Sequence, residues 1–129
     1  MIAGGIGITP FRSMIKYLLD QRQRRPITLF YAARNVNDFA YKEVFDRAQQ
    51  ELGIRTVYTV TDNRNLPQAW KGKIGRITPE LIRATVPDYR ECIFYISGPR
   101  GMVDSFRDAI DQLGGGSLQI RTDYFAGLA

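Results

Sequence analysis

The sequence predicts an α/β fold: a doubly wound, five-stranded, mostly parallel sheet in the order 3-2-1-4-5, with helices on both faces. Three observations carry this expectation. Short apolar runs alternate with stretches of helical periodicity along all 129 residues, as strand–helix repeats require. Two of the runs, Ile27–Ala32 and Cys92–Ser97, are almost continuously apolar, as strands covered on both faces are. Glycine-bearing turns twice join a strand to a helix, and right-handed crossovers then distribute the helices to both sides.

Each element follows in order. Met1–Ala3 reads as the end of a first strand. A helix from Thr9 to about Gln21 is expected, with Thr9 as its cap and Pro10 at its first position; Phe11, Met14, Ile15, Leu18 and Leu19 form one apolar face. The cluster Arg22, Arg24 and Arg25 suits the negative end of that helix, and Pro26 closes the connection to the second strand, Ile27–Ala32. A second helix, Asp38–Leu52, turns Phe39, Val44, Phe45, Ala48 and Leu52 inward and stops at Gly53. The β-branched run Ile54–Thr61 is a third strand, and Asp62–Gly75 is a polar loop. Thr78 caps a short helix with Pro79 at its first position and Leu81 and Ile82 inside. Cys92–Ser97 is the fourth strand. Gly98 and Pro99 turn the chain into a helix from about Gly101 to Leu113, with Met102, Val103, Phe106 and Ile110 inside, and the triplet Gly114–Gly116 breaks it. Leu118–Arg121 is a short last strand and Thr122–Ala129 a tail. Three residues are few for a central strand, so residues 1–129 are read as one domain that belongs to a larger parent protein.

Composition narrows the chemistry. The chain carries no His and one Cys, Cys92, so neither an internal disulfide nor a Cys/His zinc site nor a Ser–His pair can be assembled. The single Cys suits a reducing compartment, and a cytoplasmic setting is expected. No apolar run reaches the length of a transmembrane helix, and no secretory signal pattern opens the chain. The formal charge is +5, and Lys supplies only four of the 18 basic residues. The remaining residues are Arg, which pairs with phosphate bidentately. They are scattered along the chain, and no nucleic-acid motif accompanies them.

Two segments carry a chemical signal. Gly4-Gly5-Ile6-Gly7-Ile8-Thr9-Pro10 lies between a strand and a helix. Glycine lets backbone turn tightly and approach a ligand, and a helix start offers unpaired N–H groups to a phosphate. No Gly-Lys-Ser/Thr follows, so this is not a P-loop; the usual third glycine of a Gly-x-Gly-x-x-Gly fingerprint is replaced by Pro10. A tight turn that binds nothing would use the same glycines. A valine at Gly7 is expected to block phosphate approach and leave the fold intact. The second segment, Ser97-Gly98-Pro99-Arg100-Gly101-Met102, repeats the strand–turn–helix pattern. In the order 3-2-1-4-5 the two turns flank the switch point, where open sheets bind ligands.

Together with Tyr31-Ala32-Ala33-Arg34, Gly75-Arg76-Ile77-Thr78 and Thr122-Asp123-Tyr124-Phe125, these segments occur in the order seen in the ferredoxin–NADP reductase superfamily. The whole chain resembles its carboxyl-terminal NAD(P)-binding domain. The resemblance implies NAD(P)H as ligand, a separate β-barrel domain holding FAD or FMN, and hydride transfer between them. It implies that Gly5, Gly7, Thr9 and Pro10 hold the pyrophosphate. It also implies that Ser97, Gly98, Pro99 and Met102 line the nicotinamide end, and that the tail with Phe125 lies near the flavin or plugs the last strand. Ser97 stands where many relatives have Cys, and Val103 where some plant-type relatives have Glu. Hydride transfer needs no protein nucleophile, so no catalytic residue is assigned. The electron acceptor stays open.

Around the ends of the second and third strands, Arg34, Thr61, Asp62 and Arg64 are candidate contacts for the adenosine ribose. Either Arg suits a 2′-phosphate, whereas Asp62 favours free ribose hydroxyls; NADH and NADPH both remain open. A nucleotide-sensing module without redox chemistry would use the same features.

Overall fold

Strand alternation in the central sheet divides the core in two. In this computed structural model, which describes residues 1–64, 66–114 and 119–125, the strands are β1 (Ile2–Gly4), β2 (Thr28–Ala33), β3 (Arg55–Val60), β4 (Lys73–Ile74), β5 (Ile93–Pro99) and β6 (Gln119–Phe125). The helices are α1 (Ile8–Gln21), α2 (Lys42–Leu52), α3 (Pro79–Thr85) and α4 (Arg100–Gly114). Every strand pair is parallel, in the order β4-β3-β2-β1-β5-β6. The expected order of five is therefore present, with one strand added at the β3 edge. That strand, β4, is two exposed residues inside the segment expected to be loop. It pairs as Thr59↔Lys73 and Val60↔Ile74, and it lacks the apolar pattern that would announce it.

Side chains of neighbouring strand residues point to opposite faces. Ala3, Leu29 and Tyr31 join Phe11, Ile15, Leu18, Phe45, Ala48 and Leu52 under α1 and α2. Ile2, Phe30, Val57, Phe94 and Ile96 join Ile82, Val103, Ile110 and Leu113 under α3 and α4. Each fully buried Leu, Ile or Phe contributes roughly 1.5–3 kcal/mol, so these two layers hold the strand ends in place.

The helix ends correct several expectations. A 3-10 turn, Gly5–Gly7, precedes α1, which begins at Ile8 with Gly7 at the cap and no side-chain capping bond. Thr9 is thus inside the helix rather than its cap, and Pro10 is at the third position, where its missing N–H still leaves no intrahelical bond unmade. The stretch expected to open α2 forms a separate 3-10 turn, Val36–Asp38, boxed by Asn35 and Asp38. Phe39 is drawn out of the helix towards Tyr31 and Tyr58. Gly53 stops α2 in the left-handed conformation, φ 71°, and Thr78 Oγ1 accepts from Leu81 N at 3.1 Å to cap α3. Gly98 and Pro99 belong to β5 rather than to a turn, because β6 continues past Arg121 and pairs with them as Gly98↔Tyr124 and Pro99↔Phe125. The segment expected to be tail is therefore strand as far as Phe125. Leu118, Gly115, Gly116 and Ala126–Ala129 lie outside the described residues.

At the opposite, amino-terminal edge, β1 is flanked by a broad groove whose lining includes Met1, Tyr17, Thr28, Ile93 and Tyr95. Met1 N donates to Thr28 O at 3.0 Å. No residue proposed from the sequence for nucleotide contact lies in this groove.

Candidate functional site: the carboxyl edge of the sheet

Parallel strands end together, so the register places the sequence-derived residues along one edge. Ala3 is opposite Ser97, Gly4 opposite Ala32, and Ala33 opposite Val60. The glycine turn after β1, Arg34 after β2, Thr61–Arg64 after β3 and Gly98–Met102 at the junction of β5 and α4 consequently form a single row. In an open α/β sheet this is the ligand-binding edge.

Gly4 at the end of β1 and Gly5 and Gly7 in the turn after it do different things. Gly5 has φ +54° and open space where a side chain would begin; it supplies the left-handed bend that starts the turn. A Cβ on Gly7 would overlap the Ser97 carbonyl oxygen and lie 2.8 Å from Gly98 N. Gly7 therefore lets the start of α1 sit directly on the β5 backbone, and the expected fold-neutral valine has no room. A Cβ on Gly4 would overlap Met102 Sδ, and one on Gly98 would lie 2.8 Å from Met102 Cε. Met102 is thus wedged between the two turns, in a seat that exists because Gly4 and Gly98 have no side chains. Sequence reading missed Gly4, since the contact spans almost the whole chain.

The start of α1 fits a phosphate. Its first turn carries no acidic residue and no side-chain cap, so nothing negative offsets its positive dipole end, while the Ile8 N–H is taken by Gly5 O and Ile6 O and Pro10 has none. Thr9 is exposed at this end and Pro10 is half-buried. Ser97 is fully buried, between Ala3 and Asp123 in register, and its Oγ has no hydrogen-bond partner among the described residues. Phe125 is placed by its backbone alone, opposite Pro99.

The outer half of the row is stitched together. Thr61 N donates to Ala33 O at 3.2 Å and Asp62 N to Arg34 O at 2.8 Å. Arg64 grips Asp62 through Nε to Oδ1 at 3.0 Å and NH2 to Oδ2 at 2.7 Å, while its own N donates to Oδ1 at 3.0 Å. Those side-chain and backbone bonds from Arg64 hold the Asp62 carboxyl well below the usual carboxylate range. Asp62 and Arg64, treated from the sequence as separate candidates, are one paired unit.

Fold and edge together define an α/β domain built to hold a dinucleotide. The family model described as "Oxidoreductase NAD-binding domain" matches residues 1–108, and the chain belongs to that family. It is 34% identical over 122 residues to NADH-cytochrome b5 reductase 1 of Ajellomyces capsulatus, covering 88% of this chain and 38% of the relative. It is 29% identical over 128 residues to the flavohemoprotein of Bacillus cereus, covering 97% and 32%. The chain thus spans little over a third of the curated relatives it matches. Among solved structures it resembles the Amycolatopsis cytochrome P450 reductase GcoB, with a TM-score of 0.77, 22% identity and coverage of 96% of this chain and 36% of that one. It also resembles the flavohemoglobin of Malassezia yamatoensis, solved with FAD and heme, with a TM-score of 0.77, 21% identity and coverage of 97% and 30%. These likenesses bear out the resemblance to the carboxyl-terminal NAD-binding domain of the ferredoxin–NADP reductase superfamily. Among the described residues no helix is long and apolar enough to cross a membrane.

Proposed function

We propose that this domain holds NADH for hydride transfer to FAD or FMN on a separate β-barrel domain, as part of a flavoprotein reductase. The observation that carries this reading is the junction of the two turns: Gly7 lies on Ser97 and Gly98 while Met102 fills the space between them. One continuous edge is the result.

The roles follow from position. Gly5, the start of α1 and Thr9 bind the pyrophosphate through N–H and hydroxyl groups; Gly7 and Pro10 fix the helix that presents them. Gly98, Pro99 and Met102 shape the nicotinamide end, Ser97 packs beneath it, and the end of β6 at Phe125 faces the flavin side. The flavin, when bound on its own domain, supplies the hydride acceptor. At the other end Asp62 accepts from the ribose hydroxyls, with Thr61 and Arg34 beside it. Because Arg64 is engaged by Asp62, the carboxylate faces a 2′-phosphate with its cation already committed, which favours NADH over NADPH. No protein side chain is required to move a proton in hydride transfer.

Calorimetric titration of the 129-residue chain with NADH and NADPH tests the proposal. Weak binding is expected, because half of the nicotinamide site would lie on the flavin domain, together with no reductase turnover by the chain alone. No heat with millimolar nucleotide would count against it.

A further inference from the structure

We infer that the Phe39–Trp70 ring stack is a positioning device for cofactor discrimination, an inference that rests on the nucleotide-binding reading above. The loop after β2 begins with Arg34 and ends near Phe39; the loop after β3 begins with Asp62 and Arg64 and passes Trp70 before β4. Two contacts among the described residues join the loops. At the sheet they are joined by the bond from Asp62 N to Arg34 O at 2.8 Å. Farther out, the rings of Phe39 and Trp70 stack with centroids 5.8 Å apart and planes 14° apart.

That outer contact is anchored to the sheet. Phe39 meets the rings of Tyr31 and Tyr58 edge-on, at 5.0 Å and 4.9 Å. Trp70 rests over Gly72, where a Cβ would overlap the indole and lie 2.7 Å from Tyr58 O. Trp70 N donates to Pro67 O at 3.0 Å. The indole Nε1 is buried with no partner among the described residues, so there the ring is held by its faces and not by its donor. A phenyl ring can therefore replace it, and an alanine cannot.

The Asp62 N to Arg34 O bond sets the separation of the pair from Arg34, and the stack gives the loop that carries the pair a second hold beside the slot assigned to the adenosine ribose. Without it the pair is tethered at the Arg34 end alone. The ribose hydroxyls lose a fixed acceptor, and a 2′-phosphate loses part of the charge opposing it. The nicotinamide end lies across β1, on the β5 side, and is not part of this contact.

The experiment is calorimetric titration of the intact chain and of Trp70→Ala, Trp70→Phe and Phe39→Leu with NADH and with NADPH. An aromatic pair of this kind corresponds to roughly a two- to tenfold effect on affinity. Trp70→Ala is expected to weaken NADH by about fivefold and NADPH by less than about twofold. Phe39→Leu, which keeps apolar bulk, should reproduce the change, and Trp70→Phe should restore the unmodified ratio. Equal weakening of both nucleotides, or an unchanged ratio in both Trp70→Ala and Phe39→Leu, would mean that the stack is only a core contact and overturns the inference alone. If the unmodified chain binds neither nucleotide, the underlying reading falls and this one with it.

Discussion

Gly5 and Gly7 are two residues apart and fail differently when a methyl group is added. Gly5→Ala strains a left-handed bend in open space and should cost about 1–2 kcal/mol. Gly7→Ala drives its Cβ into the Ser97 carbonyl, so either α1 or β5 must shift; its loss of stability should exceed that of Gly5→Ala in urea unfolding. Equal losses would contradict the close approach. Asp62 is legible as a candidate for the ribose from its place after a strand, but its pairing with Arg64 is not, because Arg64 folds back over two residues of loop. Asp62→Ser removes a carboxylate and frees a guanidinium together. It should shift the NADPH/NADH affinity ratio towards NADPH by about tenfold or more at low salt, since hydrogen bonds to charged groups contribute roughly 1.5–3 kcal/mol. A change under about twofold would remove this loop from cofactor selection. The role of Gly7 was not legible for a related reason: what it touches lies in β5, far along the chain.

At the scale of elements, local chemistry announced itself where it was local. The Thr78-Pro79 start of α3 and the Gly53 stop of α2 are read from adjacent residues, and both are present. Elements decided by distant partners were misplaced. Phe39 carries the helical period, yet edge-on contacts with Tyr31 and Tyr58 and stacking on Trp70 hold it outside α2. The run Thr122–Phe125 has too few apolar residues to look like strand, but pairing with β5 makes it one. Two helix ends give direct tests. Thr78→Ala deletes the bond to Leu81 N and should cost about 1 kcal/mol. Arg22 ends α1 at φ 52°, with the carbonyls of Leu19 and Leu18 accepting from Arg22 N and Gln23 N at 3.2 Å and 3.0 Å. Glycine adopts that conformation without a Cβ penalty, so Arg22→Gly should raise stability by about 0.5–1 kcal/mol. A lower melting temperature would show that the Arg side chain matters more than its backbone strain.

For the molecule as a whole, order of strands and two-layer core were both foreseeable, because apolar runs of strand length between helical faces leave few topologies. The edge strand β4 was not, being two exposed residues whose pairing is purely backbone.

The seat of Met102 also makes the domain vulnerable to oxidants. Its sulfur touches the space over Gly4 and Gly98, and the side chain is only half-buried, within reach of peroxide. Conversion to the sulfoxide would add a polar oxygen to a thioether fitted between two backbones. The damage would fall at the junction of the two turns, while the helical layers on either face keep their packing. Peroxide should therefore abolish nucleotide binding before it lowers the helical signal in circular dichroism. Met102→Leu, close in volume and unable to take up oxygen, should keep binding after the same treatment.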